Sequence, residues 1–162
     1  MKNLKSFNNF ILESTQEEMM DYLTDITNKP ESSGKIEVDT SNNPLWNQIW
    51  SKLSNIGNPK KIMWKDDWGS GVGMASLNWG FQKSKGGGVG LFIESYNPRF
   101  LITVSSSEEI KTVMNILKPF NFPKIDNGGG TGKIIEVNYS GIKDPQKVIS
   151  GVVAVLRGFG LA

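Results

Sequence analysis

The feature that most constrains the fold is a series of four strand-like runs between two helical segments. The runs are Lys60–Lys65, Gly73–Lys83, Val89–Tyr96 and Phe100–Ser105. Turn signals separate them: residues 85–88 form a glycine-rich loop, and Asn97 precedes Pro98. Strands that follow one another through short turns pair in the antiparallel sense. The sequence therefore predicts an antiparallel meander.

Helical patterns flank this meander on both sides. Before it, Asn43 is predicted to cap a helix with Pro44 at the first position, because Asn and Pro favour these places. After it, Ser107 opens a second helix, residues 133–139 (KIIEVNY) form a last strand, and Asp144 with Pro145 starts a C-terminal helix. Helices before and after a sheet predict an α+β fold, a two-layer sandwich with about five antiparallel strands packed against helices.

Composition limits the chemistry available to the chain. Its 162 residues include no Cys and no His. Thiolate nucleophiles, Ser–His and Cys–His catalysis and nearly all transition-metal sites are thereby excluded. We predict no catalytic residues, no metal and no cofactor, although an enzyme that uses carboxylates, Lys, Tyr or hydroxyl groups stays open. The net charge of +2 is too small to attract a polyanion by itself.

The chain divides into three predicted parts. Residues 1–27 contain an amphipathic helix, residues 28–43 are a polar linker rich in Ser, Asn, Gly and Pro, and residues 44–162 form the α+β domain. The apolar stripe of the first part consists of Leu4, Phe7, Ile11, Met19, Leu23 and Ile26. No apolar run reaches the length that spans a bilayer, so no membrane partner is predicted.

A segment rich in Trp and Asp is the candidate binding surface. It consists of Trp64, Lys65, Asp66, Asp67 and Trp68. One interpretation is an enzyme acting on a glycan or nucleotide through Asp66, Asp67 and Glu94, because paired carboxylates can run such hydrolysis. Consecutive strand residues point to opposite faces, however, which argues against direct cooperation of the two Asp side chains. A turn with Asp at its corner and Trp rings in the core is the simpler interpretation.

A second interpretation of the same segment is that it binds single-stranded nucleic acid. Trp64 and Trp68 could stack bases while Lys65 contacts phosphate. Trp46 and Trp50, in contrast, follow a helical period and are predicted to belong to the core. Nearby acidic residues cancel much of the positive field, so nucleic acid is a partner that the sequence allows without favouring it.

The first residues, MKNLKSFNNFILES, resemble the leaders of internal virion proteins that T-even-like bacteriophages target to their capsids. Such leaders are short amphipathic helices that join the scaffold core of the prohead. A prohead protease then cuts after a Glu that has Ile or Leu two places before it and a small residue after it. Ile11, Glu13 and Ser14 match this pattern, whereas Glu94 and Glu136 do not.

The resemblance covers only the first 14 residues, and the function it implies is not indicated by the rest of the chain. It predicts a virion-associated protein of the head interior, cut between Glu13 and Ser14, whose partners are phage scaffold or capsid proteins and the prohead protease. Phe7, Phe10 and Ile11 would dock the leader. The domain would act by protein binding, either in the head or on a host protein after injection into the host cytoplasm. A neck or tail component, or an ordinary N-terminal helix that docks on its own domain, are the alternatives.

Overall fold

The computed structural model describes residues 37–65, 73–80, 89–127 and 133–162. Within these ranges the chain forms three α-helices and six strands. The helices are α1 (Trp46–Leu53), α2 (Ser107–Leu117) and α3 (Pro145–Gly158). The strands are β1 (Lys60–Lys65), β2 (Gly73–Gly80), β3 (Gly90–Glu94), β4 (Arg99–Thr103), β5 (Lys124–Asp126) and β6 (Ile134–Asn138). The predicted α+β class is confirmed, with helices packed against an open antiparallel sheet.

The sheet begins as the predicted meander and ends with a rearranged edge. Its spatial order is β1-β2-β3-β4-β6-β5, and every neighbouring pair is antiparallel. The last predicted strand, β6, therefore pairs with β4, and β5 lies outside it. Sequence patterns did not indicate β5, because three residues are too few to show an alternation. A 3₁₀ turn, Lys118–Phe120, leads from α2 towards β5.

The first face of the sheet carries the apolar core beneath the helices. Every strand from β2 to β6 contributes side chains to this face, among them Leu77, Ile93, Phe100, Ile102 and Val137. The helices bury their apolar sides against these residues, with Trp46 and Ile49 from α1, Val113 and Leu117 from α2, and Val148, Val152 and Leu156 from α3. The predicted core role of Trp46 is confirmed, and its ring lies 5.4 Å from the ring of Trp50.

The second face of the sheet carries a mixture of apolar and polar side chains. Strand alternation and register place Ile62, Ser76 and Glu94 in one row, and Asn78, Phe92, Leu101 and Glu136 in the next. Thr103 and Ile134 form a third row. All of these residues except Glu136 are buried. None of them belongs to the core beneath the helices.

One of the three predicted helix starts needs correction, whereas α2 begins at Ser107 as the sequence predicts. Asn43 does not cap α1, which begins at Trp46 after Leu45 without a side-chain cap, because the Asn43 amide is used in tertiary contacts. The second helix is capped by Ser106, whose side chain accepts from the backbone N–H of Glu109 in a capping box. For α3 the prediction is confirmed: Asp144 accepts from the N–H of Gln146, and Pro145 occupies the first turn.

Residues 37–43, the end of the predicted linker, lie against the sheet. Val38 forms a parallel bridge with Gly73, and its side chain packs on the core. The bridge is held by two hydrogen bonds of 3.0 and 2.9 Å, from Gly73 N to Glu37 O and from Asp39 N to Gly73 O. The predicted leader residues Phe7, Phe10, Ile11, Glu13 and Ser14 lie outside the described residues.

Candidate functional site

Buried polar side chains gather where β3 turns into β4. The turn, residues 95–98, contains the predicted Asn97-Pro98 corner and places Glu94 next to Arg99. Glu94 Oε1 accepts from Asn97 Nδ2 at 2.9 Å and from Arg99 Nε at 3.3 Å. Arg99 Nη1 reaches across to Glu136 Oε2 on β6 at 2.8 Å. One guanidinium thus joins carboxylates from the two strands that flank its own.

Asn43 ties this cluster to the chain that precedes α1. Its Nδ2 lies within hydrogen-bond distance of the Tyr139 hydroxyl oxygen at 2.8 Å, and of the carbonyl oxygens of Glu94 and Asn97 at 3.2 Å each. An amide nitrogen carries two hydrogens, so the two longer contacts share the donors with the shortest one. We call Asn43, Glu94, Asn97, Arg99, Glu136 and Tyr139 the polar cluster. It fixes the β3–β4 turn against the segment that precedes α1 and against the end of β6.

Burial dominates the electrostatics of the polar cluster. Only 1% of Glu94 is exposed, and this desolvation raises the pKa of its carboxyl group, although the Arg99 charge and the Asn97 hydrogen bond oppose the shift. Burial likewise raises the pKa of Tyr139 above its usual value, so the phenol stays protonated at neutral pH. Among the described residues, Glu94 Oε2 and Asn43 Oδ1 have no hydrogen-bond partner.

A carboxyl group with a raised pKa is a common feature of general acid–base sites. In this protein, however, Glu94 is sealed from solvent, and its Oε1 is engaged by two donors. No substrate atom can reach such a group in this structure. The arrangement is therefore suited to fixing the backbone and to holding one charge pair inside the protein.

The structure separates the residues of the predicted binding surface. Trp64 and Lys65 are consecutive in β1, so Trp64 is half-buried on the second face while Lys65 is exposed on the first-face side. The two residues cannot hold the base and phosphate of one nucleotide from a single face. Asp66, Asp67 and Trp68 lie outside the described residues. Glu94 lies on β3, two strands away from the end of β1.

Sequence reasoning missed the polar cluster, although one local signal points to it. Glu94 and Arg99 bracket the turn Ser95–Pro98, and an acid and a base on either side of a hairpin turn are brought together when the strands pair. Asn43 and Tyr139 carry no such signal, because they are 96 positions apart and meet only through the tertiary fold.

The described residues form neither a metal centre nor a membrane-spanning helix. No three His, Cys, Asp or Glu side chains in the described ranges lie close enough together to hold a metal ion. Of the helices between residues 37 and 162 that the structure describes, none has the length and apolar character to cross a membrane.

Comparison with known proteins gave no further guide to this site. No family model matches the chain, and neither a curated protein nor a solved structure matches it.

Proposed function

We propose that the protein is a virion-associated protein of a bacteriophage, addressed to the head by residues 1–13 and cut between Glu13 and Ser14. The domain then acts by protein binding, in the head or on a host protein after it is delivered with the DNA. The role of residues 1–13 as an address is inferred from the resemblance of the first residues to phage leaders. Action by protein binding is inferred from the polar groups of the domain.

One observation carries the division into an address and a domain. The residues buried in the core beneath the helices run from Leu45 to Leu156, and the partly buried residues packed against them run from Val38 to Leu161. These described residues form a core of their own beneath the three described helices, which supports a domain distinct from the proposed address.

Binding is favoured over catalysis because the side chains of the polar cluster are engaged in hydrogen bonds inside the protein. The polar cluster uses the hydrogen-bonding capacity of Asn97, Arg99 and Glu94 Oε1 within the protein itself. Arg99 is mostly buried, at 14% exposure, between its two carboxylate partners. Groups committed in this way stabilise a rigid scaffold, which is what a binding domain needs.

Mass spectrometry of purified particles tests the proposal. We expect peptides that begin at Ser14, with residues 1–13 missing. The variant Glu13→Gln should be packaged uncut, whereas the matched control Glu17→Gln, four positions later, should be cut like the parent. Phe7→Asp combined with Phe10→Asp should remove the protein from particles, because charges replace the apolar docking side chains. Full-length parent protein in particles, or parent protein found only in infected-cell cytosol, would contradict the proposal.

A further inference from the structure

Strand β1 forms one edge of the sheet, and β2 is the only described strand that pairs with it. None of its residues belongs to the core beneath the described helices. Met63, in the middle of β1, is 48% exposed, and no other large apolar side chain in the described part of the chain is exposed. An edge strand that is open to solvent is a place where a strand from another chain can pair.

The hydrogen bonds of Gly73 show which backbone groups of β1 point outward. Gly73 N–H donates to Glu37 O at 3.0 Å, and Gly73 O accepts from Asp39 N–H at 2.9 Å. Both backbone groups therefore point away from β1, where the register partner of Gly73 is Lys65. Residues opposite each other in such a non-hydrogen-bonded pair direct their backbone groups apart. The N–H and C=O of Lys65 thus point out of the sheet edge.

Met63 and Lys61 direct their backbone groups the same way, because this direction alternates along a strand. Ala75, the register partner of Met63, agrees with this assignment, since its carbonyl accepts from Ser95 N–H on the side of β3. Within the described ranges, no strand pairs with the outward groups of β1. Lys61, Met63 and Lys65 therefore each offer a backbone donor and a backbone acceptor to an incoming strand.

The side chains of the same three residues form a row on the first-face side of β1. Lys61, Met63 and Lys65 are all exposed, and alternate residues of a strand lie about 7 Å apart on one face. No acidic side chain in the described part of the chain forms an ion pair with either lysine. The edge thus carries two positive charges without a partner among the described residues, with an apolar side chain between them.

The opposite edge of the sheet lacks these properties. Strand β5 has three residues, whereas β1 has six. Its cation, Lys124, pairs with Asp126 two positions later, and Nζ lies 2.7 Å from Oδ2. The charges of β5 therefore compensate each other within the strand, and its length offers little backbone to a partner. Only β1 combines a long edge with uncompensated charge.

We propose that the outer edge of β1 binds an extended acidic segment of another protein as an additional strand. The segment has an apolar residue with an acidic residue two positions before it and another two positions after it. In antiparallel pairing, this pattern places the apolar side chain opposite Met63 and the carboxylates opposite Lys61 and Lys65. Backbone hydrogen bonds supply affinity in such strand addition, and the alternate side chains supply specificity.

A second copy of this chain fits the edge poorly. If two β1 strands paired with Met63 opposite Met63, Lys61 of each copy would lie opposite Lys65 of the other. Like charges directly opposite each other are destabilising, and lysines on edge strands discourage self-pairing for this reason. Nucleic acid is also disfavoured, because no aromatic ring belongs to the row: Trp64 lies on the other face of β1.

This inference rests on one part of the proposed function, action by protein binding, and names the surface that performs it. The two proposals can fail separately. The address and its cleavage are tested by the N-terminus of the protein in particles. The edge is tested by a peptide added to the purified chain, and its failure would leave cleavage between Glu13 and Ser14 untouched.

Titration of the isotope-labelled full-length protein with the peptide Thr-Glu-Thr-Val-Thr-Glu-Thr, followed by NMR, tests the inference. The amide signals of Lys61, Met63 and Lys65 should shift most, because their N–H groups face the added strand. The amides of Lys124 and Asp126, at the opposite edge, should not respond. Shifts that are absent, or that are largest away from β1, would overturn the inference.

Charge reversal tests the side-chain part of the recognition. The combined variant Lys61→Glu and Lys65→Glu should bind the peptide about tenfold more weakly at low salt, because two attractions become repulsions. The matched control, Lys111→Glu with Lys118→Glu on exposed positions of α2, has the same net charge and should bind like the parent. A peptide with Lys in place of both Glu should prefer the Lys61 and Lys65 variant to the parent. Equal weakening in the control would overturn the inference.

Backbone methylation of the peptide tests strand addition itself. Methylating the amide nitrogen of its Val removes the donor to the carbonyl of Met63 and should weaken binding about tenfold, while every side chain is kept. Unchanged binding would mean that the segment does not pair as a strand. A single-stranded oligonucleotide that binds more tightly than the peptide, through the same two lysines, would also overturn the inference.

Discussion

The two faces of the sheet are buried in different ways. On the first face, apolar side chains meet three helices that the same domain provides, and the aromatic rings of Phe100, Phe122 and Tyr139 pack together. On the second face, apolar residues share the surface with Ser76, Asn78 and Glu94. The first face therefore determines whether the domain folds. The second face fixes the turn geometry and the path of the N-terminal chain.

The largest expected effect is the difference in stability between matched truncations on the two faces. Phe100→Ala, on the first face, should lower the free energy of unfolding by about 4 kcal/mol, because it opens a large cavity between packed rings. Leu101→Ala, the next residue but on the second face, should cost about 2 kcal/mol, at the low end for such truncations. Denaturant unfolding of both variants checks this. Equal costs would mean that the two faces are equally well packed.

A smaller loss of unfolding free energy is expected where the polar cluster contacts the segment that precedes α1. Asn43→Ala should cost about 2 kcal/mol, since it removes the buried donor that contacts Glu94 O, Asn97 O and the Tyr139 hydroxyl. Tyr139→Phe removes only the hydroxyl contact and should cost about 1 kcal/mol. Thermal or denaturant unfolding measures both. If Tyr139→Phe proves as costly as Asn43→Ala, the contacts to the turn carbonyls contribute little.

The fold class and the buried side of each helix could be predicted from the sequence, because apolar periodicity reports burial along a single element. The meander followed from strand runs separated by glycine and proline. Asn43 could not be placed, since its capping preference competes with a tertiary site that the local sequence does not reveal. For the same reason the sequence allows Glu94 as a catalytic partner of Asp66, whereas in the structure Glu94 pairs with Arg99 across the turn.

The smallest effect concerns pH. The folded-state pKa of Glu94 is raised above its usual value of 4.5, chiefly by desolvation. The stability that comes from protonated Glu94 is therefore fully present below that value and is lost as pH rises through the folded-state pKa. We expect the parent to lose stability relative to Glu94→Gln as pH rises from 4.5 through the folded-state pKa. Urea unfolding of both proteins across this range measures the difference. A constant difference, or a relative gain by the parent, would contradict the assignment.

Amide hydrogen exchange of the full-length chain, followed by peptide mass spectrometry, tests the central claim most directly. That claim is that residues 1–13 are an address that the domain does not need for its fold. The account predicts that amides of residues 1–13 exchange far faster than those of β3 and β4. Protection of residues 1–13 equal to that of β3 and β4 would contradict it.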